Sequence, residues 1–231
     1  MACDPITEAP HVRVTLEGQA LWLLPERAMF WAEESMLLVA DAHFGKAAAF
    51  RARGVPVPEA TTDENLACLD ALIARWSPRR LAFLGDFAHA KEAANPSTRE
   101  ALLQWRSRHR NLELILVRGN HDIVDSALPL ALDMQTIEEP WKIGTLALCH
   151  HPQDVETHYA LAGHLHPAYR LLGRANERTR VPCFWFGPKR AVLPAFGAFT
   201  GCCVIQPGEG DEIYLAGPDR IHALPRRAAP A

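Results

Sequence analysis

Met36-Leu37-Leu38-Val39-Ala40 runs without interruption into Asp41-Ala42-His43. Five consecutive apolar residues have the length and composition of a strand that is buried on both faces. The strand ends where the polar residues begin, and Asp41 and His43 both carry side chains that bind divalent metals. This stretch therefore predicts a buried strand that delivers metal ligands at its carboxyl end.

The same arrangement recurs further along the chain. Apolar runs of strand length occupy residues 81–84, 112–117 and 146–149, and each run stops at candidate ligands. The later polar segments are Gly85-Asp86, Gly119-Asn120-His121-Asp122, Cys149-His150-His151 and Gly163-His164-Leu165-His166. Repetition of one pattern predicts that these side chains meet at one place in the fold.

Helical patterns separate the first of these strands. Apolar residues recur at three- and four-residue spacing within residues 58–76, as on one face of an amphipathic helix. Asn95-Pro96 offers an N-cap and a first-turn proline for a second helix. Alternating strands and helices predict right-handed crossovers and a parallel sheet. Asp41, Asp86 and Asn120 are then expected at the rim formed by the carboxyl ends of the strands.

The rest of the chain is predicted to be largely β. Strand-like pieces separated by glycine, proline and charged turns occupy residues 142–148, 169–172, 183–186, 191–193, 202–205 and 212–215. Residues 12–31 have the pattern of hairpins. Two sheets packed face to face, with helices outside, accommodate these elements. We expect a single domain over residues 1–224 and a disordered tail over residues 225–231.

Composition excludes several classes of protein. The 231 residues are 48% hydrophobic, which suffices for a substantial core. The sequence has 24 Lys and Arg residues and 27 Asp and Glu residues, so its net charge is -3. Any attraction to phosphate must therefore come from a local group of basic residues. Without a run of about 18 apolar residues or a basic leader, we expect a cytoplasmic protein that does not bind membranes. The six cysteines lack Cys-x-x-Cys spacing, which argues against a zinc knuckle or a disulfide framework.

The residue types in the five segments suit a centre that holds two divalent cations. Two cations a few ångströms apart need a carboxylate between them and imidazoles and oxygens around them. We assign Asp86 as the bridge. The first metal is assigned Asp41, His43 and His166, and the second Asn120, His150 and His164. Water between the metals loses a proton near neutral pH, and the bridging hydroxide is expected to attack phosphorus in line.

Neighbours of the predicted ligands have candidate roles in the reaction. His121 is predicted to stabilise or protonate the leaving oxygen, with Asp122 orienting its imidazole. Of the two adjacent histidines, we assign His150 to a metal and His151 to the substrate or to support of the ligands. His89 is expected to orient a ligand or contact substrate, the alternative being a packed residue that satisfies a loop carbonyl.

A basic cluster follows the first polar segment. Lys46, Arg51 and Arg53 could bind a phosphate backbone near the metals. A basic cluster beside a helix start is also a common form of solvated surface, so the sequence leaves both interpretations open.

Together the five segments resemble the five motifs of the calcineurin-like metallophosphoesterase superfamily. These motifs are Asp-x-His, Gly-Asp, Gly-Asn-His-Asp, a strand-ending His, and Gly-His-x-His, and all occur here in order. The resemblance implies a metal-dependent phosphoester hydrolase with a four-layer α/β/β/α sandwich, in which helices flank two mixed sheets. One departure follows His150, where many members have glycine and this chain has His151-Pro152.

A narrower resemblance extends beyond these motifs. The flanking segments are similar to the PdeM family of bacterial ligase-associated DNA damage response endonucleases, which are relatives of the SbcD nuclease subunit. The segments are Asp41-Ala42-His43-Phe44-Gly45-Lys46, Phe50-Arg51-Ala52-Arg53-Gly54-Val55-Pro56, Leu193-Pro194-Ala195-Phe196-Gly197 and Thr200-Gly201. This resemblance implies manganese as the metal, DNA as the substrate, and functional association with an ATP-dependent DNA ligase, a helicase and a second nuclease. Iron and zinc suit the same ligands.

Two other functions remain open. The same chemistry could act on a nucleotide, a cyclic nucleotide or a lipid-linked pyrophosphate, because the net charge gives no support for a long polyanion. The chain could also be a metal-free scaffold, since some members of this fold resemble the retromer scaffold component. Such a scaffold is expected to lack several ligands, whereas this sequence lacks none, so catalysis is favoured.

Overall fold

The fold is taken from a computed structural model, which describes residues 10–52, 54, 61–88, 96–120, 122, 127–173, 177–198 and 200–225. The helices are α1 (Lys46–Ala52), α2 (Thr61–Trp76), α3 (Pro96–Arg108) and α4 (Ala127–Ala131). The strands are β1 (Val12–Leu16), β2 (Gln19–Leu23), β3 (Ala28–Trp31), β4 (Met36–Ala40), β5 (Arg80–Leu84), β6 (Glu113–Val117), β7 (Met134–Ile137), β8 (Trp141–Ile143), β9 (Leu146–Leu148), β10 (Tyr159–Ala162), β11 (Pro167–Leu172), β12 (Arg178–Phe186), β13 (Arg190–Val192), β14 (Cys203–Val204), β15 (Glu212–Ala216) and β16 (Ile221–Ala223).

The first sheet contains β1 to β7 in chain order. Its first four strands form an antiparallel meander, and β4, β5, β6 and β7 are parallel. The register pairs Ala40 with Leu84 and Leu84 with Val117, so three adjacent strands end level with one another. The loops that follow β4, β5 and β6 therefore leave the sheet at one rim.

The second sheet is also mixed, with strand order β14-β11-β12-β13-β10-β9-β8, and β15 and β16 added beside β12. Its centre is parallel, because β10 pairs with β9 on one side and with β13 on the other. The register sets Leu148 opposite Leu161, so the loops after β9 and β10 also leave from the same end.

Alternation along the central strands divides the interior into two cores. Leu37 and Val39 of β4 join the core under the helices, whereas Met36, Leu38 and Ala40 join the core between the sheets. A strand with both faces buried needs apolar residues at every position, because successive side chains point to opposite faces. Each buried Leu, Val or Met contributes roughly 1.5–3 kcal/mol, so these strands form a rigid base for their terminal loops.

The described helices cover one side of the sandwich. Apolar residues of α2, α3 and α4 pack in the core on the outer face of the first sheet: Leu66, Leu69, Leu72, Leu102, Trp105 and Leu128. The opposite face of the second sheet carries a smaller cluster that includes Cys183, Ile213 and Leu215, to which no described helix contributes. None of the described helices combines the length and apolarity needed to cross a membrane.

The predicted α/β sandwich of two mixed sheets with helices outside is confirmed, and the described helices lie on the outer face of the first sheet. The apolar runs at residues 36–40, 81–84, 112–117 and 146–149 correspond to β4, β5, β6 and β9, and the two predicted helices correspond to α2 and α3. Asn95, residues 58–60 and nearly all of the predicted tail lie outside the described residues. The extent of the domain stays a prediction.

Some strand predictions were wrong or missing. The piece predicted over residues 142–148 is two antiparallel strands, β8 and β9, because Gly144 adopts a positive φ of 56° in the turn between them. The sequence pattern also missed β7, β10 and β16. The strand β10 matters most because it leads into Gly163-His164, and two of its four residues are alanine, which has weak β-propensity.

Candidate metal centre

Five strands from the two sheets end around one cluster of polar side chains, and β11 begins there. Asp41, Asp86 and Asn120 follow strands β4, β5 and β6 of the first sheet. In the second sheet, His150 follows β9, and the segment between β10 and β11 carries His164 and His166. The cluster therefore lies across the junction between the two sheets, at the carboxyl rim predicted from the sequence.

One group of metal-binding atoms lies around Asp41. His43 Nε2 and His166 Nε2 are 3.4 Å apart, and His166 Nε2 lies 3.6 Å from Asp41 Oδ1. His43 Nε2 also lies 3.7 Å from Asp86 Oδ2. The facing atoms of Asp41, His43 and His166 all fall within 4.8 Å of one another, a spacing that one cation could bind at once.

A second group surrounds His150. Its Nε2 lies 2.9 Å from Asn120 Oδ1 and 3.0 Å from His164 Nδ1. Asp86 Oδ1 is 3.7 Å from the same Nε2. The two oxygens of Asp86 thus face different groups, with Oδ2 toward His43 and Oδ1 toward His150. This is the arrangement that a carboxylate shared by two cations requires.

Backbone carbonyls determine which ring nitrogens are free to bind a metal. His150 Nδ1 lies 3.1 Å from the Leu84 carbonyl oxygen, and His166 Nδ1 lies 2.9 Å from that of Gly201. A carbonyl oxygen only accepts, so each Nδ1 donates a hydrogen and the Nε2 of each neutral imidazole bears a lone pair. The lone pairs therefore point into the cluster, where a cation would stabilise them.

The charges in this cluster also call for a cation. Asp41 is fully buried and Asp86 is 3% exposed. Asp41 Oδ2 accepts a hydrogen bond from the His164 backbone at 2.8 Å, but its Oδ1 has no hydrogen-bond partner among the described residues. Burying an ionised carboxylate without such a partner is costly unless a positive charge lies close by.

Nearby basic groups compensate these carboxylates only in part. Burial lowers the pKa of Lys46, although Asp86 and Asp41 act in the opposite direction. Burial also lowers the pKa of His166, but the nearby Asp41 carboxylate outweighs it and raises this pKa above the ordinary value. The donor set of carboxylates, imidazoles and one amide oxygen fits divalent cations such as Mn²⁺, Fe²⁺ or Zn²⁺.

Comparison with known proteins identifies the family. No family model and no curated protein matches the sequence. The crystal structure of the Pseudomonas putida nuclease MPE superposes with a TM-score of 0.83 at 42% identity, covering 93% of this chain and 100% of the nuclease. The chain belongs to the calcineurin-like metallophosphoesterases.

A second solved structure is much less similar to this metallophosphoesterase. Yfce, a phosphoesterase from E. coli, is 14% identical over 78% of this chain and 86% of its own, with a TM-score of 0.40. Family membership, together with the donor groups at the strand ends, makes the chain a metal-dependent phosphoester hydrolase.

Left-handed backbone conformations occur at several predicted ligands of this metallophosphoesterase. Five predicted ligands have positive φ angles: Asp41 (52°), His43 (47°), Asp86 (47°), His164 (70°) and His166 (48°). Such conformations cost about 1 kcal/mol or more for residues other than glycine, and they occur where the surrounding structure fixes them. Here a buried strand adjoins each of these segments and holds the backbone at that end.

Glycines in three of the motifs allow the ligand loops to approach one another. A Cβ on Gly85 would lie 2.0 Å from His150 Nδ1, and Gly85 also has a φ of 74°. A Cβ on Gly119 would lie 2.6 Å from the Asp86 backbone nitrogen. At Gly163 the Cβ would lie 2.7 Å from Asp41 Oδ2. Each glycine therefore leaves space that a predicted ligand occupies.

Asp122 connects two of these loops. Its Oδ1 accepts a hydrogen bond from the Phe87 backbone at 3.0 Å, and its Oδ2 accepts one from Gly119 at 2.9 Å. Burial raises the pKa of Asp122 to about 6, although these backbone hydrogen bonds oppose the shift. The described contacts of Asp122 thus hold the loop that carries Asp86, and its predicted contact with His121 lies outside the described residues.

Glu139 supports the fourth motif and was missed from the sequence. Its Oε2 accepts hydrogen bonds from the backbone nitrogens of His150 and His151 at 2.6 and 2.9 Å, and His151 Nδ1 donates to its Oε1 at 2.6 Å. His150 is fully buried in the donor cluster, whereas the His151 side chain is 45% exposed. This geometry favours His150 as the ligand. Only the order Glu-Pro before a strand could have drawn attention to Glu139.

The predicted substrate-binding residues are described only in part. Lys46 lines a cleft beside His43 that also contains Asn65 and Thr200. Arg51 is partly buried on α1. The remaining predicted residues Arg53, His89 and His121 lie outside the described residues.

We predict that Gly119→Ala weakens metal binding by roughly 10- to 100-fold, because the added methyl group displaces Asp86. Isothermal titration with Mn²⁺ measures the change. The matched control is Gly201→Ala, which adds the same group close to His166 with no atom within 4 Å of it. Equal affinities in the two variants would contradict the close approach of the loops around Asp86.

Proposed function

We propose that this metallophosphoesterase is an endonuclease of bacterial DNA repair that hydrolyses phosphodiesters with two divalent cations. The proposal of two cations rests on the position of Asp86, whose two carboxylate oxygens face two separate groups of metal-binding atoms. The substrate is proposed by similarity to the P. putida nuclease, at 42% identity over that entire chain.

We assign the first cation to Asp41, His43 and His166, the second to Asn120, His150 and His164, and Asp86 to both. Two cations at these positions would supply Lewis acidity toward the phosphate and an attacking water activated near neutral pH. The chain's own carboxylates, imidazoles and amide oxygen would hold these cations and, through them, the phosphate and the attacking water. Manganese is the proposed metal because the flanking segments resemble a manganese-dependent family.

His121 is the proposed general acid. It follows the proposed ligand Asn120 directly in sequence. An imidazole can protonate the leaving oxygen near neutral pH. Its neighbour Asp122 accepts hydrogen bonds from the backbone nitrogens of Phe87 and Gly119.

The proposed cellular context follows from the same resemblance. We propose that the enzyme acts in concert with an ATP-dependent DNA ligase, a helicase and a second nuclease, in the cytoplasm. A small phosphodiester is the second candidate substrate, favoured by the net charge of -3. To distinguish DNA from a small phosphodiester as the substrate, we would compare the activity of the manganese-loaded protein on plasmid, single-stranded DNA and bis-p-nitrophenyl phosphate. Cleavage of the small diester alone would overturn the DNA assignment.

Asp86→Asn is predicted to weaken binding of both cations and to lower turnover of bis-p-nitrophenyl phosphate by at least about a hundredfold, because an amide cannot share negative charge between two cations. Bound metal is counted by elemental analysis. Asp63→Asn makes the same chemical change on the exposed first turn of α2 and should retain both metals. Full activity of Asp86→Asn would rule out the bridge.

His121→Ala is predicted to keep the metals but to lower kcat by about 10²- to 10⁴-fold, with the largest loss on substrates whose leaving groups are poor. A series of aryl phosphodiesters with leaving groups of increasing pKa measures this dependence. His222→Ala, an exposed position on β16, is the control. Loss of metal from His121→Ala would mean that this residue is a ligand.

Lys46→Ala is predicted to raise KM roughly tenfold on both DNA and the small diester, since Lys46 lines the cleft beside His43 and interacts with Asp41 and Asp86. Arg51→Ala, further along α1, removes the same charge and should affect DNA alone. Initial rates measured at constant ionic strength give the KM for DNA and the KM for the small diester. An effect of Lys46→Ala on DNA alone would show that this residue contacts the backbone beyond the reacting phosphate.

A further inference from the structure

A basic surface lies on the hairpin formed by β11 and β12. Their antiparallel register pairs Arg170 with Arg180 and Leu172 with Arg178. Directly paired residues project from the same face of a sheet, as do residues two apart on one strand. Arg170, Arg178 and Arg180 therefore share one face of the hairpin, which we call the arginine face.

The arginine face lacks compensating charge within the described part of the chain. All three arginines are exposed, and none of them forms an ion pair with a described residue. Like charges placed directly opposite on adjacent strands destabilise a sheet. An anion bound between Arg170 and Arg180 would remove this repulsion, so the surface is suited to a partner with repeated negative charges.

The hairpin begins at the metal centre. Strand β11 starts at Pro167, the residue after the predicted ligand His166. With a rise of about 3.3 Å per residue, Arg170 lies roughly 13 Å along the chain from His166. Phosphates of one strand are spaced about 3.4 Å apart along the axis of B-form DNA and farther apart along the strand itself, so this distance corresponds to a few nucleotides at most.

Two adjoining clefts connect the metal centre with the arginine face. The first is the cleft beside His43 and Lys46, and Asn65 and Ala198 line it at one end. The same Asn65 and Ala198 line a second cleft of about 440 Å³, whose wall includes Arg180. Since the clefts share these two residues, they adjoin between His43 and Arg180, and we call the two together the groove.

The second cleft carries more positive than negative charge. Arg27 and Arg180 both line it, and Glu26 is the one acidic residue among its described lining. The Glu26 carboxylate is already bound by Arg75 at 2.8 Å. Burial raises the pKa of Cys68, also in the wall, to about 11, so its thiol stays neutral near pH 7. The groove is therefore locally basic although the chain as a whole is acidic.

We propose that this groove and the arginine face bind the phosphodiester backbone of the substrate strand on one side of the scissile phosphate. The inference rests on the proposed action on DNA and adds the path that the strand follows. Arginine guanidinium groups and phosphate oxygens have complementary charge and geometry. The contacts would be to backbone phosphates, so they would bind strands of any sequence.

The proposed path of the substrate strand is tested with one triple variant, Arg170→Ala/Arg178→Ala/Arg180→Ala. A fluorescent single-stranded oligonucleotide should bind this variant at least about tenfold more weakly at 50 mM salt. The slope of log K against log salt should fall by about two, because each phosphate contact with a single strand contributes roughly 0.7. The loss of kcat/KM on the oligonucleotide should exceed any loss on bis-p-nitrophenyl phosphate by at least about tenfold.

The matched control is Arg79→Ala/Arg110→Ala/Lys142→Ala, which removes the same total charge from exposed residues. Arg79 and Arg110 precede β5 and β6 at the opposite rim of the first sheet, and Lys142 lies on β8 at the far edge of the second. This control should bind the oligonucleotide nearly as the unaltered protein does. If both variants lost oligonucleotide binding to the same extent, the loss would reflect total charge, and the proposed strand path would be wrong.

The outcomes separate this inference from the proposed function. If the unaltered protein cleaves DNA and the arginine variant binds and cleaves it equally well, the path is wrong and the nuclease assignment stands. If the unaltered protein hydrolyses the small diester but neither binds nor cleaves DNA, the nuclease assignment fails, and the strand path fails with it.

Discussion

The burial of two carboxylates among imidazole lone pairs is the constraint on which the centre depends. Asp41 and Asp86 lie at the ends of adjacent strands with almost no contact with solvent, and the ring nitrogens around them point inward. Such a cluster is stable only if positive charge enters it. The left-handed ligand residues, the motif glycines and the Asp122 contacts all serve to bring these atoms together despite their mutual repulsion.

Much of this arrangement could be predicted from the sequence because the central strands are buried on both faces. An uninterrupted apolar run with a polar end gives both the strand and the ligand position, as at β4 and Asp41. Short strands of weak propensity, such as β10, gave no comparable signal. Glu139 could not be predicted either, since it acts on backbone groups that only the pairing of strands brings near. The arginine face could not be predicted from the sequence, because the pairing of Arg170 with Arg180 depends on the register of the hairpin.

The distribution of charge shows how composition can conceal a local property. A net charge of -3 argues against a nucleic-acid binder when it is considered alone. Lys46, Arg27 and Arg180 nevertheless line two connected clefts, while the adjoining acid Glu26 is bound by Arg75. Electrostatic attraction between a polyanion and a folded protein depends on the charges that face it, so an acidic total is compatible with a basic groove.

The carbonyl groups behind the imidazoles have a consequence for the evolution of the family. His150 and His166 donate to the main-chain oxygens of Leu84 and Gly201, and no amino-acid replacement at those positions deletes a carbonyl. His151 instead depends on the side chain of Glu139, which a single nucleotide change in the gene could alter. A substitution can therefore remove the acceptor that fixes the proton position of His151, but not the acceptors that fix those of His150 and His166.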